Sequence, residues 1–194
     1  VVPGDPLTFE SRDTTHYSVA DAEGNVVSNT FTLGSSFGAH VMAPGTGFFL
    51  NDAMANFAWG GNEPANAPEP GKRVISTITP VIAFKEGKAW LVSGTPGGTR
   101  IISAMAQLLS NVVDHRLNIA EATQRPRIFQ AASDTPVEFE PGFPVDILRL
   151  MEGRGHKAKP SLTMGSTQSI LIENGVLEGS ADSRRPDAAA VAVD

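Results

Sequence analysis

The dipeptide Asn174-Gly175, placed between the two β-favouring runs of SLTMGSTQSILIENGVLEGSAD, constrains this chain more than any other feature. Both residues tolerate the positive φ of a two-residue hairpin turn, and the runs on either side can pair only if the chain reverses there. Two further segments follow the same plan. THYSVADAEGNVVSNTFTL holds two strand-like runs around the turn-forming tetrad Ala22-Glu23-Gly24-Asn25, and VISTITPVIAFKEGKAWLVSG reverses at Glu86-Gly87-Lys88. Three hairpins demand sheets, and nineteen glycines with fourteen prolines supply the turns that sheets need.

Between the second and third hairpins the hydrophobic period lengthens to 3.6. From Thr99, Ile101, Met105, Leu108 and Val112 stack on one face with Ile102, Leu109 and Val113 beside them, which predicts a mostly buried helix. A second helix is expected over Leu117 to Gln124, stopping before Arg125-Pro126, and a third from Pro144 with Ile147, Leu148 and Met151 facing inward. The order strands, helices, strands describes an α+β layered domain. GSSFGAHVMAPGTGFFLNDAMANFA and GGNEPANAPEPGKR lack any sustained period, so they read as long loops around a site.

The 194 residues, 41% of them hydrophobic and 19% charged, suit one globular core. A formal net charge of −6 with scattered basic residues argues against a nucleic-acid partner. No apolar run reaches the roughly 18 residues of a membrane span, and there is no cysteine for a disulfide or thiolate site. His16, His40, His115 and His156 have no ligand spacing, and GTPGGTR has neither the P-loop lysine nor dinucleotide-fold spacing. No metal and no cofactor is expected.

Hydroxyls at strand ends remain. The first hairpin sets Thr14 and Thr15 at the start of one strand and Thr32 near the end of the other, and antiparallel pairing brings those ends together. A threonine Oγ becomes a useful nucleophile when the chain is cut just before it, because its freed α-amine, with a pKa of about 7.7–8.0, serves as the base. From the residues alone, Thr14 reads either as such a terminus or as an ordinary β-branched strand residue. Pro96-Gly97-Gly98 likewise reads as a tight turn into the helix or as a pair of amides aimed at developing negative charge.

TTHYSVADAEGN resembles the opening of the small subunit of γ-glutamyltranspeptidases, whose precursors cut themselves before the first threonine of a TTH[FY]S motif. FTL, FFLNDAMANF, KRVISTITP, LVSGTPGGTRI, LNIAEATQRPR, MGSTQSI and DSRRPD follow in the family's order over nearly the whole chain. The resemblance implies the N-terminal nucleophile hydrolase fold, stacked antiparallel sheets sandwiched by helices in four αββα layers. It makes Thr14 the nucleophile after cleavage of the Asp13–Thr14 bond, and Thr32 the second hydroxyl. It makes Gly97 and Gly98 the oxyanion hole, with Ser76 and Thr77 holding the substrate's α-carboxylate. Three positions depart from the family pattern: Gly34 replaces an asparagine, Ala53 a glutamine, and Asn56 the aspartate that grips the glutamyl ammonium. A neutral amide at Asn56 loses a charge-assisted hydrogen bond, so the pocket resembles that of cephalosporin acylases, which take a glutaryl group.

The same resemblance assigns residues 1–13 to the end of the large subunit and implies that residues 14–194 are the small-subunit catalytic domain. The implied partners are that large subunit, from the same precursor, and a small γ-glutamyl or glutaryl amide. The resemblance favours a periplasmic or extracellular compartment. The competing expectation is an unprocessed, catalytically inactive domain with a structural or interaction role.

Overall fold

In the computed structural model, which describes residues 14–59 and 64–193, each expected hairpin forms around its turn. β1 (Thr14–Ala20) pairs antiparallel with β2 (Val26–Thr32), in a register that sets Thr14 opposite Thr32. The Asp21 carboxylate fastens this turn by accepting from the backbone N–H groups of Glu23 (3.0 Å) and Asn25 (2.8 Å). β3 (Val81–Lys85) and β4 (Lys88–Ser93) reverse at Glu86-Gly87, and β8 (Gln168–Glu173) and β9 (Val176–Ala181) at Asn174-Gly175. Both residues of each turn have φ between +52° and +78°, the pair of positive values that a two-residue reversal needs.

These last four strands form one antiparallel sheet in the order β3-β4-β8-β9. One face is covered by α1 (Ile101–Val113) and α2 (Ile119–Gln124). Leu91 and Leu171 from the sheet meet Ile101, Met105, Leu108, Val112, Ile119 and Ala122 from the helices in the main apolar core. Burying each large aliphatic side chain there contributes about 1.5–3 kcal/mol. Asn118 caps α2 by accepting from the Glu121 N–H (2.8 Å), and Arg125 leaves the helix in extended conformation before Pro126.

The opposite face of the sheet receives the β1–β2 hairpin through polar groups. Ser18 Oγ donates to the Gln168 carbonyl (2.8 Å) and Ser28 Oγ to the Ser93 carbonyl (2.9 Å). The His16 ring lies flush against Gly94, where a Cβ would fall 2.3 Å from a ring carbon, so only glycine fits. The outward face of the same hairpin carries Tyr17, Val19, Val27 and Phe31, all exposed. Among the described residues the layers are therefore helices, sheet, sheet.

Four expectations need correction. α1 buries one stripe only: Ile102 and Val113 are exposed, because a helix lying on a single sheet has neighbours on one side. α3 (Val145–Gly153) starts after Pro144 as expected, yet none of its residues is buried; Ile147 is exposed and Leu148 and Met151 are half-buried. The VISTITP run forms no strand, since Pro80 lacks an N–H and the preceding hydroxyls bond locally, Ile78 N–H to Ser76 Oγ and Thr79 Oγ1 to the Thr77 carbonyl. Finally, β5 (Ile128–Phe129), β6 (Val137–Phe139) and β7 (Ala158–Pro160) make a third sheet, with β6 and β7 parallel. Two- and three-residue strands are too short to show alternation in a sequence.

Candidate active site

Thr14 heads β1 with its side chain turned inward and only 4% of the residue exposed. Its Oγ1 donates to Thr32 Oγ1 at 2.9 Å, the contact that the hairpin register makes inevitable. Thr32 Oγ1 also accepts the Gly34 N–H at 2.9 Å. With both lone pairs of Thr32 taken, its own proton is available to be donated onward. The Thr14 carbonyl accepts from Arg185 Nη2 at 3.1 Å, which ties the head of β1 to the chain's last turn. Asp13, the other residue of the expected cleavage site, lies with the 1–13 leader outside the described residues, as do residues 60–63 of the Pro/Gly loop.

Next to β1 on the sheet, β4 ends and the chain turns through Pro96-Gly97-Gly98 into the short 3-10 turn Gly98–Arg100 that opens α1. Gly97 has φ +141° and ψ 15°, and Gly98 has φ +56°, conformations that side-chain-bearing residues rarely adopt. A Cβ on Gly97 would also press on Gly165 at 3.3 Å. The carbonyls of Gly97 and Gly98 serve the turn, accepting from Arg100 N–H and Ile101 N–H, while the amides lie at a helix start where the dipole favours negative charge. Gly97 shares a cleft of about 530 Å³ with Thr15, His16 and Gln168.

The remaining expected residues fall into two groups. Thr77 Oγ1 donates to the Gly98 carbonyl at 2.9 Å, joining the Ser76-Thr77 pair to the glycine turn. Ala53 and Asn56 bound the 3-10 turn Ala53–Asn56, whose side chains lie half-buried or exposed. Asn56 is fixed through its carbonyl, which accepts from Asn66 Nδ2 at 2.8 Å. That turn is docked on the end of β2 by Asp52, whose N–H donates to the Leu33 carbonyl (2.9 Å) and whose Oδ1 accepts the Ser35 N–H (3.0 Å). Gly34 is glycine for a structural reason: its φ is +93°, and a Cβ there would fall 1.7 Å from Asp52 Oδ1.

Two features of the site were absent from the sequence reading. His16 is buried two residues along β1 from Thr14, with Nδ1 2.8 Å from Thr30 Oγ1 and Nε2 3.1 Å from Ser18 Oγ. Burial lowers its pKa from 6.5 to about 4, so the ring is neutral at physiological pH. Behind the site, the Arg127 guanidinium meets Asp182 Oδ2 at 2.7 Å, and Arg184 bridges Asp182 Oδ1 (3.0 Å) and Glu140 Oε2 (2.6 Å). Burial alone would raise the Asp182 pKa, but Arg127 and Arg184 outweigh it and hold the carboxyl below its ordinary value. Arg127 also donates to the Met164 carbonyl (2.6 Å), and the Met164 N–H to Glu140, so this network sets the irregular segment leading to Gly165. The sequence signal was the arginines and aspartate of QRPR and DSRRPD, which carry no spacing rule because their contact is made only by the fold.

Antiparallel sheets stacked under a helical layer, with Thr14 at the head of the first strand, are the architecture of the N-terminal nucleophile hydrolase fold. The gamma-glutamyltranspeptidase family model matches residues 6–192, and the chain belongs to that family. It is 42% identical over 195 residues to the glutathione hydrolase proenzyme of Escherichia coli, covering 95% of this chain and 34% of that protein. It is 39% identical over 176 residues to the Acylase ACY 1 proenzyme of a Pseudomonas strain, covering 89% of this chain and 31% of that one. A solved gamma-glutamyltranspeptidase of Helicobacter pylori matches with a TM-score of 0.82 at 37% identity, covering 88% of this chain and 100% of that chain. The chain spans about a third of the length of the curated relatives it matches.

Proposed function

We propose that this chain is the small-subunit segment of a threonine amidohydrolase and acyltransferase, formed when its precursor is cut between Asp13 and Thr14. The observation that carries the reading is the 2.9 Å hydrogen bond from Thr14 Oγ1 to Thr32 Oγ1 at the buried head of β1. In the processed protein the freed Thr14 amine takes the hydroxyl proton as Oγ1 attacks the amide carbonyl of a γ-glutamyl or glutaryl-type donor. The developing oxyanion is met by the Gly97 and Gly98 amides, and such a donor contributes about 2.7–4 kcal/mol to the transition state. The amine then returns the proton to the leaving group, and water or an acceptor amine resolves the acyl-enzyme. Ser76 and Thr77 hold the donor's carboxylate; Thr77 does so by releasing its hydroxyl from Gly98, which couples donor binding to the oxyanion turn.

The large subunit of the same precursor supplies the rest of the pocket. Its placement is supported by the outward apolar face of β1–β2, where Tyr17, Val19, Val27 and Phe31 form a surface suited to a further layer. The proenzyme names of the relatives support processing from a longer chain.

The test is anilide release by the full-length protein with γ-glutamyl and glutaryl donors, beside Thr14→Ala. Loss of at least about a thousandfold in the variant, with the variant also remaining a single polypeptide, is expected for a nucleophile. Turnover within tenfold of wild type in Thr14→Ala refutes the reading and leaves an unprocessed structural domain as the better description.

A further inference from the structure

The Gly97 and Gly98 amides are held in place by different devices. The Gly98 N–H belongs to the peptide unit whose carbonyl, that of Gly97, accepts from the Arg100 N–H at 3.0 Å, so the backbone of the helix start fixes it. The Gly97 N–H belongs to the peptide unit of the Pro96 carbonyl, and that carbonyl accepts from a side chain, Thr95 Oγ1, at 2.7 Å. In a trans peptide the C=O and N–H point in opposite directions within one rigid plane. A bond that pins the Pro96 oxygen therefore also aims the Gly97 hydrogen.

Thr95 is fully buried, and both of its hydroxyl contacts are with backbone groups of this turn and its neighbour. Oγ1 accepts the Ser166 N–H at 2.7 Å, which leaves the hydroxyl proton to go to Pro96. Valine has nearly the same shape, so packing alone does not call for a hydroxyl at a site without water.

Ser166 reaches Thr95 because the segment before β8 runs beside the end of β4, where the Gln168 N–H donates to the Gly94 carbonyl at 3.1 Å. Gly165 makes the close approach possible. Its φ is +69°, and a Cβ there would fall 2.5 Å from Thr95 Oγ1 and 2.8 Å from the Pro96 carbonyl oxygen. The segment is held from behind by Arg127 and Glu140 through the Met164 backbone. A continuous set of contacts thus runs from the buried ion pairs to the plane of the Pro96–Gly97 peptide.

Resting on the oxyanion role given above to Gly97, we propose that Thr95 is a positioning residue for the acyl transfer. Its hydroxyl, oriented by the Ser166 N–H, holds the Pro96–Gly97 peptide so that the Gly97 N–H faces the developing oxyanion. Without that bond the peptide plane can turn about the single bonds on either side of it, and one of the two donors loses its aim. The Gly98 donor keeps its backbone anchor, so the loss is partial.

The experiment measures kcat and KM of the full-length, processed enzyme with whichever of γ-glutamyl and glutaryl p-nitroanilide wild type turns over faster. It compares Thr95→Val, Thr95→Ala and Thr95→Ser with wild type, and urea midpoints report the fold of each. The expected result is a kcat lower by about ten- to a hundredfold in the valine and alanine variants with KM within about twofold, because the contact acts only in the transition state. Thr95→Ser, which keeps the hydroxyl, is expected within about fivefold of wild type. Where one of the first two variants does not fold, the other is read alone. A kcat loss below about tenfold, a loss carried by KM, or an equal loss in Thr95→Ser overturns the role of Thr95 and leaves Thr14 untouched. Failure of both Thr95→Val and Thr95→Ala to fold or to be processed makes Thr95 a structural residue and overturns it as well. Release from neither donor by wild type overturns the nucleophile reading and this proposal together.

Discussion

The two faces of the four-stranded sheet are built on opposite principles. Toward the helices, Leu91 and Leu171 disappear into an apolar core with Met105, Leu108 and Ile119, and stability comes from area removed from water. Toward the β1–β2 hairpin, the buried groups are Thr14, His16 and Thr30, joined by hydrogen bonds, while the hairpin's apolar residues face outward. The lesson is that a strand's alternation says which residues share a face, not which face is inside. A polar interior costs stability unless every group is paired, and it persists here around the Thr14 hydroxyl, the group proposed above to do the chemistry.

The contrast can be broken from the apolar side first. Leu91→Ala removes a fully buried side chain from the helix-facing core and is expected to destabilise the full-length protein by about 2–5 kcal/mol, read from the urea midpoint. A cost below about 1 kcal/mol would mean the core is not where the stability resides.

The polar side responds to pH instead. His16 has a folded pKa of about 4 against 6.5 for an exposed ring, so between these values the unfolded chain takes up a proton that the folded chain refuses. Stability from this group is therefore complete above pH 6.5, is lost as the pH falls toward 4, and is flat below that. The total is roughly 3 kcal/mol. Unfolding measured from pH 7.5 to 4 in wild type and His16→Gln isolates the contribution, and identical slopes in the two proteins would contradict it.

A smaller effect is expected from Thr30→Val, which keeps the shape of the side chain and strips His16 Nδ1 of its 2.8 Å partner. Leaving that buried nitrogen unsatisfied costs about 1–3 kcal/mol. The smallest change is Val27→Ser on the outward face, expected to shift the stability of the separated small-subunit chain by less than about 0.5 kcal/mol. In the full-length protein the same substitution should lower thermal stability by more if the proposed large subunit covers this face; equal shifts in both settings would remove the argument for a further layer.

How much of this was legible in the sequence depended on distance along the chain. The three hairpins were, because Asn174-Gly175, Glu86-Gly87 and the Asp21–Asn25 turn carry their own backbone chemistry, and the Thr14–Thr32 contact followed from the first of those registers. The start of α1 after Gly97-Gly98 was equally local. The Arg127–Asp182 pair, 55 residues apart, left no periodic trace. Nor did Asp52: it reaches Gly34 only because the loop closes onto the end of β2, so the departure at 34 and the acid at 52 read as unrelated until they share one volume.

Everything proposed for the chemistry turns on whether Thr14 acquires a free amine. Chemical sequencing of the natural, full-length protein after acylation by a slow γ-glutamyl donor, with the label located by peptide mass, addresses both requirements at once. Two results are expected: a chain that begins at Thr14, and an acyl group on its side-chain oxygen. A turning-over enzyme in which Thr14 is still joined to Asp13, or in which the label sits on another residue, would contradict it.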